Sequence, residues 1–136
     1  MNQPAEPTIL IMLTWFGAWP GWIRPFLESC RWNPSVDWLI VTDQTAPPDM
    51  PPNVRIRPSS FPDYRSLISS RLGVAIEWTE AYKLCDLKPA LAHVHAGEVA
   101  GYDMWGFGDL DVIYGDIRRI YTTDILARDL VTTHED

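Results

Sequence analysis

An α/β fold, with a mainly parallel sheet flanked by helices, is what this 136-residue sequence predicts. Three observations carry the prediction. The runs Thr8–Thr14 (TILIMLT) and Asp37–Thr42 (DWLIVT) are apolar without alternation, as strands covered on both faces are. The segment between them repeats its apolar residues at helical spacing. Strand-like and helix-like stretches then alternate along the chain, the pattern of a parallel sheet whose connections are helical.

The elements follow in order. After the first strand, Trp15-Phe16-Gly17-Ala18 reads as a loop, and Pro20 suits the first turn of a helix. Trp22, Ile23, Phe26, Leu27 and Cys30 form its apolar stripe. Pro25 either kinks this helix or marks its true start, and Asn33-Pro34 stops it. The second strand ends at Asp43. The proline-rich stretch Thr45–Asn53 is a loop, and Val54–Arg57 a short third strand. Asp63 is the expected N-cap of a helix through Tyr64, Leu67, Ile68 and Leu72, closed by Gly73. Leu84, Leu87, Leu91 and Val94 predict a helix from Leu84 to Ala96, with Pro89 near its first turn or bending it and Gly97 as its C-cap. Tyr102–Phe107 is the next strand, leading into Gly108-Asp109-Leu110-Asp111, with Val112-Ile113-Tyr114 continuing extended. Asp116 offers an N-cap to a short helix through Ile117 and Ile120, and Thr123-Asp124 starts another helical turn.

Size and charge narrow the function. The length suits one domain, and with 46% apolar residues it can bury a real core. A formal charge of -7 repels a polyanion, so nucleic acid is not an expected partner. Cys30 and Cys85 lie far apart with no CxxC pair, so neither a zinc site nor a disulfide framework is indicated. Both sit in apolar helical contexts, where a buried free thiol is common, which fits a reducing compartment. The N-terminal residues Met1–Pro7 lack a basic region, and the apolar run Ile9–Phe16 is too short to span a membrane. A cytoplasmic protein without a transmembrane segment is expected. Seven tryptophans are spread along the chain; they suit core packing, with one or two available to stack on a base or a sugar ring.

Asp109-Leu110-Asp111 is the strongest candidate for chemistry. In extended chain two residues advance roughly 6.6 Å and alternate side chains share a face, so both carboxylates point one way while Leu110 faces the core. Such a pair can converge on one divalent ion; Mg2+ and Mn2+ prefer oxygen ligands and keep positions open for phosphate. Solvated loop carboxylates would have the same spacing, but this pair follows an apolar strand, where open α/β sheets bind ligands. Gly106 and Gly108 remove side chains beside it, which would let a ligand approach the backbone. Asp43, at the end of the second strand, is either a turn-forming residue or an acceptor for a base or ribose. Asp86 and Lys88 either complement a helix start and solvent, or reach a ribose or metal shell and a phosphate. His93 and His95 are poor joint ligands, read as solvated or core residues; His134-Glu135-Asp136 is a polar terminus. No GxSxG, P-loop or GxGxxG occurs.

YKLCDLKPAL followed by GYDMWGFGDLDVIYGDI resembles the core of bacterial glycosyltransferase-like proteins linked to surface polysaccharide synthesis, and ILIMLTWFGAWPGWIRPFLESCRWNPSVDWLIVTD resembles their opening. The wider resemblance is to the type-A glycosyltransferase fold with its Asp-x-Asp signature. It implies the Rossmann-like half of that fold, a nucleotide-diphosphate sugar donor, a saccharide acceptor and a divalent ion, Mn2+ or Mg2+. By position it implies that Asp111 ligates the ion and Asp109 meets the ribose or the ion shell. Asp43 then lies near the base, and Asp86 and Lys88 beside the nucleotide. Such enzymes usually continue further, so residues 1–136 are expected to form a nucleotide-sugar-binding domain truncated before the acceptor-binding half, with no assignable general base. One alternative is a module that binds a nucleotide sugar without transferring it. Another is an aspartate-nucleophile phosphatase, whose motif calls for Thr or Val where this chain has Ile113 and for a preceding apolar strand near the N-terminus.

Overall fold

The computed structural model of the chain describes residues 5–129. Four strands, β1 (Ile9–Trp15), β2 (Val36–Thr42), β3 (Val54–Pro58) and β4 (Met104–Phe107), form one sheet in the order β3-β2-β1-β4, with every pairing parallel. The expected α/β class is therefore what the chain adopts, in a Rossmann-like arrangement. His134, Glu135 and Asp136 lie outside the described residues.

The apolar runs form strands because both faces of the sheet are covered. On one face Ile9, Leu13, Val36, Trp38 and Ile40 pack against Phe26, Leu27 and Cys30 of α1 (Ile23–Arg31) and against Ile117 and Leu126 further on. On the other, Leu10, Met12, Leu39 and Val41 meet Tyr64 and Ile68 of α2 (Phe61–Leu72) and Leu84, Leu91 and Val94 beyond it. Period-two alternation along β1 thus divides its side chains between two apolar layers rather than between core and water.

Several helix ends differ from expectation, each for a local reason. Pro20 lies in the turn before α1, where its carbonyl accepts from Ile23 N, and Pro25 falls within the first turn, where a missing N–H costs little. Trp22 caps this helix and is 46% exposed instead of joining its buried stripe. Asp63 is not the N-cap of α2. Ser60 is: its Oγ accepts from Asp63 N and donates to the Asp63 carboxylate at 2.6 Å, a reciprocal pairing across three residues. Gly73 closes α2 at φ 67°, as the sequence suggests.

The helix expected from Leu84 to Ala96 is broken. Ala81–Ala90 forms 3-10 turns, followed by α3 (Leu91–Val94) and α4 (Ala96–Val99). Pro89 bars the α-form by removing a donor and crowding the preceding turn, and it disfavours α geometry at Lys88 as well. Gly97 sits inside α4 and caps nothing; the break falls at His95, whose φ/ψ of -109°/37° is not helical. Val112–Tyr114 joins no strand. Asp116 does cap α5 (Ile117–Ile120), accepting from Arg119 N, and α6 (Thr123–Leu126) follows.

Two buried asparagines fasten the remaining segments. Asn53 Nδ2 lies 2.8–3.0 Å from the carbonyls of Cys30, Asn33 and Val36. Asn33 donates to the Ser29 and Gly115 carbonyls and accepts from Ile117 N, all at 2.9 Å, which ties the chain beyond Asp111 to the α1–β2 turn.

Candidate functional site

The chain steps from β1 to β2 to β3 in one direction, then returns across the sheet to place β4 on the far side of β1. Strand order thus reverses between β1 and β4, the place where open α/β sheets hold ligands at the carboxyl ends of their strands. A cleft of about 420 Å³ lies there. Its walls are Leu13–Phe16 at the end of β1, Gly108–Asp111 beyond β4, Trp22 and one side of the 3-10 segment.

Asp109 and Asp111 both line this cleft and both are exposed, while Leu110 between them is buried in the core. Leu110 lines the cleft with them, and the extended geometry expected to set the two carboxylates on one face is not what the chain adopts here. Residues 110 and 111 form a turn rather than a continued strand. Ladder bonding ends at Gly108, whose N–H donates to Met12 O at 3.0 Å. Gly108 also serves a neighbour rather than a ligand. A Cβ built there would overlap the Tyr114 hydroxyl and come within 3.2 Å of Ile11 Cγ2. Gly106 has open space where its side chain would be.

The 3-10 segment contributes the opposite wall. Its three-residue period sorts side chains into rows. Leu84 is buried and Ala81, Leu87 and Ala90 are half-buried; Lys83, Asp86 and Pro89 are exposed; Tyr82, Cys85 and Lys88 form a row that lines the cleft, with Ala81 and Leu84 beside it. Lys88 Nζ forms an ion pair with Asp109 Oδ1 and lies 5.9 Å from the centre of the Phe107 ring. Asp86, on the exposed row, is not part of the lining. Cys85 is exposed, contrary to the expected buried thiol, because it falls on the cleft row; Cys30 is buried, which pushes its thiol up to about 12.

Asp43 sits at the end of β2 outside the cleft lining. Its Oδ1 accepts from Gln44 Nε2 at 3.0 Å and from Gly17 N at 2.9 Å, and these bonds, the side-chain one foremost, hold the carboxyl below its ordinary range. Asp43 thereby fixes the loop that carries Trp15 and Phe16 into the cleft. Its Oδ2 has no protein partner among the described residues.

Trp22, Tyr82 and Cys85 were not singled out as site residues by their sequence context. Tyr82, Cys85 and Lys88 do carry a legible signal, a three-residue spacing just before a proline that bars the α-helix. Trp22 carries none, since its spacing fits the stripe of α1 equally well.

Among the described residues no group of three or more His, Cys, Asp or Glu side chains gathers as a metal cage. Two carboxylates in one cleft still match what a hard divalent ion takes from protein when phosphate and water complete its shell. No helix of the described residues is long and apolar enough to cross a membrane.

Fold and cleft define the class: a Rossmann-like α/β protein with an acidic opening at its topological switch point. Residues 11–134 match the family model DUF6625, described as a family of unknown function, and the chain belongs to that family. No curated protein and no solved structure gives a significant match.

Proposed function

We propose that this cleft binds a nucleotide-diphosphate sugar together with Mn2+ or Mg2+, as the donor site of a glycosyltransferase acting in the cytoplasm on a saccharide acceptor, in surface polysaccharide synthesis. One observation carries the reading: Asp109 and Asp111 open into a single cleft at the switch point, with the cationic Lys88 on its facing wall. Its volume falls within the range of roughly 300–1,000 Å³ typical of small-molecule sites.

The roles follow from position. Asp111 and Asp109 would hold the ion, which would supply positive charge beside a departing diphosphate. Lys88 meets a phosphate oxygen as a point charge on a flexible stem. Trp22 and Tyr82, 46% and 82% exposed at the cleft, offer flat faces for a base or sugar ring. Asp43 and Asp86, both outside the lining, would meet a ligand only where its base or ribose extends beyond the cleft.

A binding module that transfers nothing is the second reading. It is favoured by the lining itself, which among the described residues holds no histidine and no carboxylate beyond Asp109 and Asp111 to serve as a base. Calorimetry with a panel of nucleotide sugars, with and without Mn2+, tests the binding that both readings share. Wild type should bind one of them only when metal is present, and Asp111→Ala should abolish that binding. Equal affinity in the variant would remove Asp111 as a ligand. Sugar release or transfer by the wild-type chain then separates donor site from binding module.

A further inference from the structure

The Lys88–Asp109 pair points to a second property of the cleft, one that rests on the reading just proposed. We infer that Lys88 is a built-in occupant of the metal position, displaced jointly by the divalent ion and the diphosphate, so that each of those ligands strengthens the binding of the other.

The geometry is specific. Lys88 lies on the cleft-facing row of the 3-10 segment, and Pro89 after it holds that backbone out of the α-form, which would rotate the side chain elsewhere. Its ammonium reaches across to Asp109 Oδ1 and is partly withdrawn from water, the side chain being 21% exposed. The Phe107 ring beside it adds a face attractive to a cation. Asp111 has no ionic partner among the described residues. Two carboxylates in one cleft of an acidic protein repel each other, and Lys88 relieves that repulsion in the free chain.

A divalent ion seated on both carboxylates cannot share Asp109 with an ammonium at contact distance, because the like charges repel. The ion alone therefore has to strand Lys88. A metal–diphosphate complex does not: the ion takes the carboxylates while the phosphate takes Lys88, whose long stem moves without a backbone shift. Linkage makes this reciprocal, so the ion favours the diphosphate by the same factor as the diphosphate favours the ion. Free metal binds weakly, and the loaded donor is selected over bare cation.

The test compares wild type, Lys88→Met and Lys88→Arg. Mn2+ binding is followed by loss of the free-ion paramagnetic resonance signal, alone and with UDP or GDP as diphosphate probe. Lys88→Met should bind Mn2+ alone roughly tenfold tighter, within the usual range of site coupling, and the gain from the diphosphate should collapse toward one. Lys88→Arg keeps the charge and should keep affinity for bare Mn2+ low. Unchanged Mn2+ affinity and unchanged coupling in Lys88→Met, with an unaltered melting temperature, would overturn the inference and leave the donor site standing. Wild type that takes up neither Mn2+ nor the diphosphate with Mn2+ would overturn both.

Discussion

At Gly108 the cleft and the core compete for the same space. The Tyr114 hydroxyl lies where a side chain at 108 would begin, and Tyr114 packs in turn against Trp38, ring centres 5.6 Å apart, and Phe26 at 6.2 Å. Burial pushes the Tyr114 phenol up to about 12, so it stays neutral across the working range. Gly108→Ala should therefore lower stability by about 1–3 kcal/mol, the usual cost of overpacking, and Tyr114→Phe should recover much of it by removing the obstructing oxygen. Urea unfolding of the two single variants and the double variant measures this; additive losses would show that Tyr114 is not what excludes the methyl group. The sequence marks Asp109 and Asp111 plainly, since a carboxylate pair after an apolar strand is a local pattern. It cannot mark the partner of Gly108, because Tyr114 reaches it through a turn that no local pattern announces.

At the scale of elements, the break between α3 and α4 is the informative one. His95 is 1% exposed and belongs to a set joining three elements. Its Nε2 lies 2.8 Å from the Tyr64 hydroxyl of α2, and its Nδ1 lies 3.3 Å from Arg57 Nη1 of β3 and 3.4 Å from Glu98 Oε1 of α4. Arg57 and Glu98 are themselves ion-paired. Burial, then Arg57 and Arg71, bring His95 down to about 4, so the native imidazole is neutral. An unfolded chain takes up this proton near pH 6.5, the native one only near 4. The stabilising contribution is thus complete above pH 6.5 and is lost as pH falls through that window toward 4. On the order of 3 kcal/mol is at stake, taking about 1.4 kcal/mol for each unit of displacement. Unfolding free energies between pH 7 and 4 should show this loss in wild type and a flatter acid limb in His95→Gln; matching slopes would contradict it. Sequence spacing foretold a core or solvated histidine and no more. Its partners come from β3 and α2, contacts that helical periodicity does not encode. The 3-10 segment escaped recognition for a related reason: Leu84, Leu87, Leu91 and Val94 fit the α period, and only the weight given to Pro89 separates the two forms.

At the scale of the whole molecule, the sheet order decides where a ligand can go. Apolar runs and helical spacing made the α/β class and the strands legible, because burial on both faces leaves its mark on most residues of β1 and β2. Strand order left no such mark: nothing in the composition of β4 says that it lies beside β1 and not beside β3. Yet that adjacency brings the end of β1 and the Asp109–Asp111 turn together and carries Lys88 onto the facing wall. Asp43 and Asp86, equally acidic and equally near strand or helix ends in the sequence, fall outside the lining.

The most direct test is to locate the ion with its ligand bound. Amide resonances of the full chain should be recorded with Mg2+ and a nucleotide diphosphate, then with trace Mn2+ in place of Mg2+. Paramagnetic broadening should centre on Gly108–Asp111 and extend to Thr14–Phe16 across the switch point, falling away toward the far ends of the strands. Broadening centred elsewhere, or unaltered by Asp111→Ala, would contradict the assignment of this cleft as the donor site.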